Sequence, residues 1–473
     1  MKRIAIIGGG ISGLSAAFAL EQQRLAGSPL EYVLFESSPR LGGVLVTERV
    51  EGCVVEAGPD SFLTEKPWAS DLCRAVGLGD QLIGSNDAGR KTYILLKGKL
   101  VVIPDGLMFM IPTKITPTLL SPLFSSRAKL RIAREWFHPP RKVDADESVA
   151  SFVERHYGAE MVSRLADPLL SGVYGGEASR LSVRAVLPRF AEMEAAYGSL
   201  GRAMLARKKV ASKESPRPLF TTLKDGMQQL VDAVASRLDA SALRPSSPVQ
   251  RLQRQNGGWV VSAGLASDHF DTVIVATPAQ DAAELLQMVS ADLAAELRGI
   301  SYTSSVTVNL GYDRTVRTSL PLGFGFLVPR SEGKRLLAAT FVHNKFSHRA
   351  PGDRALLRCF IGGAHNEQIL EAPDEEILAI VREELRQVVG ITADPEFTRI
   401  YRWRGAMAQY AVGHLERLQR IEDLLQHLPG LALAGNGYRG IGVPDCVRSG
   451  SDAADRILRA LGMKNGSSPA LAS

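Results

Sequence analysis

The three glycines that end the first apolar run constrain this chain more than any other feature. Ile4-Ala5-Ile6-Ile7 leads into Gly8-Gly9-Gly10-Ile11-Ser12-Gly13 and then into Leu14-Ser15-Ala16-Ala17-Phe18-Ala19-Leu20. The order reads as strand, tight turn and helix. Gly8 permits the turn, Gly10 lets backbone approach a pyrophosphate, and Gly13 lets the helix pack closely on the strand. The unpaired N–H groups of the first helical turn then face the phosphates. A second apolar strand, Tyr32-Val33-Leu34-Phe35, ends on Glu36, 23 residues after Gly13. A carboxylate there can accept hydrogen bonds from ribose hydroxyls. The pattern predicts a doubly wound nucleotide-binding unit and a dinucleotide ligand.

Directly after Glu36 come Ser37-Ser38-Pro39-Arg40-Leu41-Gly42-Gly43. Arg40 could reach a phosphate or ribose, and the glycine pair would let backbone run beside a flat ring. A nicotinamide enzyme has no need of this second glycine element, and here the chain resembles the FAD-dependent amine oxidase-like flavoproteins. Near the other end, Leu431-Ala432-Leu433-Ala434 runs into Gly435-Asn436-Gly437-Tyr438-Arg439-Gly440-Ile441-Gly442-Val443-Pro444-Asp445-Cys446, a strand, a glycine-rich loop and a helix start. The positive end of such a helix can stabilise the negative charge that a reduced flavin accumulates. The two ends of the chain are expected to grip one cofactor.

Composition bounds the remaining choices. With 473 residues, 45% hydrophobic and 22% charged, the chain is long enough for two or three domains. Cysteines stand at 53, 73, 359 and 446 without paired spacing, which argues against a disulfide framework or zinc site and fits a reducing cytosol. The eight histidines form no metal-binding pattern, so no metal is predicted. The apolar start is too short for a signal peptide, and no stretch reaches 18 apolar residues, so a protein that is soluble or lies on a surface is expected.

Charge is concentrated in one place. Residues 105–142 hold seven basic side chains against two acids, a net of +5 out of the whole chain's +6. Arg127, Arg131 and Arg134 share one helical face, and Leu130, Ala133 and Phe137 another. The apolar clusters Leu107-Met108-Phe109-Met110-Ile111 and Leu119-Leu120 look exposed. The segment suits an anionic membrane interface or the rim of a pocket for an anionic substrate, and an ordinary basic surface helix explains it equally well. No nucleic-acid-binding module accompanies it.

Turn signals divide the rest. A largely helical stretch covers about 124–209, Asn256-Gly257-Gly258 marks a hairpin, and alternating runs between about 301 and 410 suggest an antiparallel sheet. The expected fold is α/β: a discontinuous Rossmann-type FAD-binding domain (1–90, 217–290, 425–464) and a mixed-sheet substrate domain (91–104, 194–216, 291–424). A helical, membrane-facing domain (105–193) and a flexible tail (465–473) complete it.

Several further runs make the resemblance specific. They are Glu56-Ala57-Gly58-Pro59-Asp60-Ser61-Phe62, Ser171-Gly172-Val173-Tyr174-Gly175-Gly176, Gly323-Phe324-Gly325-Phe326-Leu327-Val328-Pro329, Gln409-Tyr410-Ala411-Val412-Gly413-His414 and the Asp445-Cys446 ending. In this order, over nearly the whole chain, they resemble oxygen-dependent protoporphyrinogen oxidases and their bacterial coproporphyrinogen-oxidising relatives. The resemblance implies non-covalent FAD contacted by Gly8, Gly9, Gly10, Ile11, Ser12, Gly13, Glu36, Ser37, Arg40, Gly43, Val44, Gly58, Pro59, Asp60 and Ser61. It extends that set to Val249, Trp403, Ile441, Gly442 and Val443. A tetrapyrrole would lie near Thr92, Gly172, Leu327, Thr340 and Phe360.

Thr92 stands where many members have an arginine for a propionate, Thr340 where leucine is expected, and Ala408 where proline is usual. Arg90, Lys91, Lys97 and Lys99 around Thr92 favour tolerance of a four-carboxylate substrate. The implied chemistry is hydride removal from a porphyrinogen bridge carbon to the flavin, three times over, with O2 reoxidising the cofactor to give H2O2. No catalytic acid or base is needed, because the cofactor supplies the redox step. An amine oxidase or carotenoid desaturase would share the flavin motifs, and a Rab-GDI-like binding protein would share the scaffold without flavin. Oligomeric state is not legible.

Overall fold

The computed structural model describes residues 1–141, 145–210 and 217–463. Lys142 of the basic segment, residues 211–216 of the substrate span and the tail at 465–473 lie outside the described residues. A parallel five-stranded sheet forms the nucleotide-binding unit, in the order Leu243–Arg244, Leu30–Phe35, Lys2–Ile7, Thr272–Val275, Leu431–Leu433. Its strands are apolar on both faces because helices cover one side and the antiparallel sheet Val249–Gln255, Gly258–Ala263, Ala266–Phe270, together with helices Ala279–Leu286, Ala291–Arg298 and His414–Gln426, covers the other. Helices Ile11–Leu25 and Val443–Ala460 lie together on one side, with Gly450 so close to the first helix that a Cβ there would stand 2.0 Å from the Ser12 carbonyl oxygen. The chain's two ends therefore form one packed unit.

The second sheet has seven strands: Phe397–Ala408, Tyr302–Tyr312, Ala355–Gly362, Leu336–Phe341, Gly325–Leu327, Thr92–Leu96 and Lys99–Val102. All its pairings are antiparallel except that of Gly325–Leu327 with Thr92–Leu96. One face, carrying Leu95, Val306, Val308, Phe326, Ala339, Phe341, Leu357, Cys359 and Ile361, packs under helix Asp374–Val389. The alternation of strand side chains then dedicates the other face to the site. A third core belongs to the helices between Ser126–Glu135 and Leu200–Val210.

The exposed reading of residues 107–111 is corrected here. Leu107–Met108 and Ile111–Pro112 pair as a hairpin across Phe109, whose φ is +58°. Met110 and Ile111 are buried in the helical core, and Leu107 and Phe109 pack against it. Among the described residues no helix is long and apolar enough to cross a membrane, and no group of His, Cys, Asp or Glu could hold a metal ion.

Candidate active site

Each glycine of the first turn occupies a different environment. Gly8 has φ +107°, and a Cβ on it would lie 2.7 Å from the Ala276 carbonyl oxygen. On Gly13 a Cβ would stand 1.9 Å from the Gly8 oxygen, so only glycine lets this helix sit against its strand. Gly10 has nothing within 4 Å of its Cβ position, which leaves a space at the N-cap of helix Ile11–Leu25. No side chain caps that helix, so its first N–H groups remain for a ligand. An open cradle at Gly10 between two sterically filled glycines fits a pyrophosphate.

Around this turn the loop after the second strand is pinned by backbone. Gly42 donates to the Gly9 carbonyl at 2.8 Å, and Gly43, at φ +57°, lies beside Gly10. The Glu36 carboxylate accepts from the Gly9 and Ser38 N–H groups at 2.7 and 2.8 Å and from the Ser37 hydroxyl at 3.3 Å. Arg40 folds its guanidinium onto the Gly43 and Leu41 carbonyls, holding the glycine loop. Val44 is exposed, and a Cβ on Gly58 would lie 1.9 Å from its carbonyl oxygen, so residues 58–61 run directly behind that loop. Val249 opens an antiparallel pair with residues ending at Ala263.

At the other end, Gly442 precedes helix Val443–Ala460 with no side-chain cap and with Pro444 in the first turn. Tyr410 and Tyr302 fix the loop before it. The Tyr410 hydroxyl donates to the Asn436 carbonyl at 2.6 Å and accepts from Gly440 N–H at 2.8 Å, and the Asn436 amide donates to the Ala406 carbonyl at 2.9 Å. Lys66 pairs with Asp445 at 2.6 Å.

The substrate positions converge through strand register. One row across the sheet runs Thr92, Gly325, Thr340, Arg358, Asn309. The next row on the same face runs Ile94, Leu327, Ala338, Phe360, Thr307, Tyr401, and Trp403 lies one step on, opposite Ser305. Thr92, Leu327, Thr340 and Phe360 are each half-buried although the surrounding sheet is buried, so this face opens onto a gap. Gly172, on helix Asp167–Tyr174, borders it: a Cβ there would meet Leu327 Cδ2 at 3.4 Å. Trp403 donates its indole N–H to the Ala57 carbonyl at 2.9 Å, linking the face to residues 57–61.

One expectation fails on geometry. Lys97 and Lys99 lie at the far end of strand Thr92–Leu96, roughly 15 Å from Thr92 at about 3.3 Å per residue. Both are exposed, and the Lys97 and Gly98 N–H groups bind the Glu332 carboxylate. Of the four, Arg90 and Lys91 flank Thr92 and Lys97 and Lys99 do not, so the four form no cationic ring around it.

Sequence reasoning passed over a buried charge cluster beneath residues 57–61. Lys345 Nζ lies 3.1 and 3.2 Å from the Asp60 carboxylate oxygens and 3.0 Å from the Ser61 hydroxyl. Arg349 pairs with Glu56 and with the Thr222 hydroxyl, both at 2.7 Å. Arg358 donates to the Gly58 carbonyl and sits 4.0 Å from Asp60. Burial pushes the Asp60 carboxyl up, but Lys345 and Arg358 outweigh it and hold it well below the usual carboxylate range. Burial pushes Glu56 up against Arg349, and Lys345 down. A lone arginine inside Leu356-Leu357-Arg358-Cys359-Phe360 was the available signal.

The sequence profile of flavin containing amine oxidoreductases matches residues 11–458. The chain belongs to that family. Its cofactor is therefore a flavin, and the dinucleotide turn makes it FAD. The coproporphyrinogen III oxidase of Bacillus subtilis (strain 168) is 35% identical over 97% of this chain and 98% of its own length. Protoporphyrinogen oxidase 2 of Arabidopsis thaliana is 27% identical over 97% and 94%. A crystal structure from Exiguobacterium sp. 255-15, called "Putative protoporphyrinogen oxidase", superposes with a TM-score of 0.87 at 32% identity, covering 98% of this chain and 99% of that one. Cyclohexylamine oxidase from Brevibacterium oxydans IH-35A shares the fold at 19% identity and TM-score 0.69.

Proposed function

We propose that this flavoenzyme oxidises a porphyrinogen to the porphyrin with O2 as acceptor, removing six electrons in three flavin cycles and releasing three H2O2. One observation carries the reading. Thr92, Leu327, Thr340 and Phe360, drawn from four strands of the second sheet, share a half-open face with Gly172 opposite. Leu327 and Phe360 give this half-open face apolar surfaces suited to a flat macrocycle. The full-length relatives named coproporphyrinogen III oxidase support the substrate class and favour the four-carboxylate porphyrinogen. That preference no longer draws on the lysines near Thr92.

FAD would supply the hydride acceptor. Residues 8–13, Glu36, Ser37, Arg40, Gly43 and Val44 would hold its dinucleotide without a covalent bond. Residues 58–61, Trp403 and residues 441–443 would surround its ring, and the backbone of Val249 would complete the site. Leu327 and Phe360 would orient the macrocycle and exclude water, with no side chain required as acid or base. The nucleotide domain would comprise 1–90, 217–290 and 425–464, and the substrate domain 91–104 and 291–424, whereas helix Leu200–Val210, expected in the substrate domain, packs Leu200 and Ala203 into the helical core. The helical part, 105–193, would touch an anionic membrane surface from the cytoplasmic side through exposed Leu120, Leu130 and Phe137 beside Arg127, Arg131 and Arg134.

The test supplies coproporphyrinogen III and protoporphyrinogen IX in parallel to flavin-loaded protein and follows oxygen-dependent porphyrin fluorescence and peroxide. Activity on both is expected, with coproporphyrinogen III at least as good. Failure on both refutes the reading, and turnover of a primary amine instead would favour the amine oxidase alternative.

A further inference from the structure

Beneath residues 57–61 lie three cations, Lys345, Arg349 and Arg358, each no more than 9% exposed, which among the described residues face two carboxylates, Glu56 and Asp60. Burying one charge more than is neutralised is costly, and a fold retains it where a further negative charge arrives. Arg358 shows where that charge is due. Its Nη2 holds the Gly58 carbonyl and its guanidinium stacks over Phe360, 4.9 Å from the ring centroid, yet its buried Nε has no partner. Lys345 is held between the Phe220 and Phe346 rings, 4.5 and 5.1 Å from their centroids, so it cannot swing out to water.

We propose that this Lys345–Asp60–Arg349–Glu56–Arg358 cluster is a fixed positive counter-charge that favours the reduced, anionic flavin and so raises the cofactor's reduction potential. The inference rests on the reading that residues 58–61 lie against the flavin ring. Its physical basis is that a net charge fixed in a low-dielectric interior acts over longer distances than one in water. Lys345 is a positioning residue here: it sets a field through Asp60 and touches no reacting carbon.

Counting charges gives a signature that a structural role would not. Lys345→Met removes a positive charge and should lower the two-electron midpoint potential by at least the 30 mV that corresponds to a tenfold change in the oxidised-to-reduced ratio. Asp60→Asn removes a negative charge and should raise it. The double variant restores the count and should return near the wild-type potential, and Lys345→Arg should match wild type. Potentials are measured by dye-coupled reductive titration of the FAD-loaded proteins, with bound flavin quantified after heat release.

A wild-type protein that holds no FAD would overturn the underlying reading. Wild type with FAD, and with both single variants shifted in one direction or unmoved, would overturn the counter-charge. Should Lys345→Met fail to fold, Asp60→Asn still decides, since a potential that falls or stays constant contradicts the proposal.

Discussion

The phosphate turn and the open face of the seven-stranded sheet are built from opposite materials. The turn is main chain: residues 8–13 and the helix start they lead into supply the glycines, the space and the free N–H groups. The sheet face is side chain, and its members lie from Thr92 to Trp403. A main-chain site is set by sterics that only glycine satisfies, whereas a side-chain site exists only once strand register is fixed. The sharpest way to break the contrast is within the turn. Gly13→Val would drive a side chain into the Gly8 carbonyl and should cost more than about 4 kcal/mol, giving little soluble protein. A Cβ at Gly10 has no protein atom within 4 Å, so Gly10→Val should fold with a nearly unchanged melting curve in the absence of FAD, yet bind no flavin. Equal behaviour of the two variants, measured by yield, melting temperature and flavin content, would show that the space at Gly10 is not the ligand's.

The same contrast explains what could be read in advance. The turn, the second glycine element and the closing helix are local patterns, and the hairpin at Asn256-Gly257 was legible because both residues take positive φ, +52° and +77°. The burial of residues 107–111 was not, because a hairpin reverses the chain within a run that looks like an exposed apolar patch. Nor was the separation of Lys97 from Thr92, since closeness in sequence becomes distance along an extended strand. Arg358 was visible as a charge in an apolar strand. Its partners Gly58 and Asp60 lie some 300 residues away and appear beside it only through the fold.

The sheet face can be tested from its opposite wall. Gly172→Leu extends a side chain from helix Asp167–Tyr174 towards Leu327 and should fill the slot. Turnover should fall roughly 100-fold, a barrier increase of about 2.7 kcal/mol, with the flavin spectrum unchanged. Phe360→Ala should act more mildly, raising KM about tenfold with less effect on kcat. Porphyrin fluorescence assays on both variants check this. A loss of flavin from Gly172→Leu would mean that the two regions are not separable.

A smaller effect is expected at the surface of the helical region. Arg127, Arg131 and Arg134 are exposed, as are Leu120, Leu130 and Phe137. Basic residues near an anionic surface contribute about 1 kcal/mol each, reduced by salt. Reversing all three to Glu should weaken sedimentation with anionic vesicles by at least tenfold at physiological salt, with no change on neutral vesicles. Equal sedimentation of both proteins would leave the basic face as a plain solvated surface.

The smallest effect concerns a side-chain cluster inside that helical region, where His156 is fully buried between two carboxylates. Its Nδ1 lies 3.2 Å from Glu135 and its Nε2 3.3 Å from Glu194. Arg155 also engages Glu194, and the Ser199 hydroxyl and Leu200 N–H bind Glu135. His138, with its ring 5.1 Å away, is held below its usual value by burial and by the His156 charge. Burial opposes charging His156, yet its Nδ1 hydrogen bond to Glu135 and the close Glu194 carboxylate outweigh burial and raise it above 6.5. Both carboxyls are lowered despite burial, Glu135 by its hydrogen bonds with His156, Leu200 and Ser199, and Glu194, to about 2, by the adjacent His156 ring and the Arg155 guanidinium.

The signs follow from linkage. The histidine's contribution is complete below pH 6.5 and is lost as pH rises through its raised folded value. The carboxylates' contribution is present above pH 4.5 and is lost on acidification. The helical region should therefore be most stable between these limits and lose stability on going from pH 6 to pH 9. His156→Gln should be less stable at pH 6 and show no comparable loss from pH 6 to 9. Amide exchange protection in residues 149–157 at the two pH values reads this directly, and a wild-type profile flat across that range would contradict a charged His156. Because the phosphate turn has no such pair, its own protection should stay constant over the same range in both proteins.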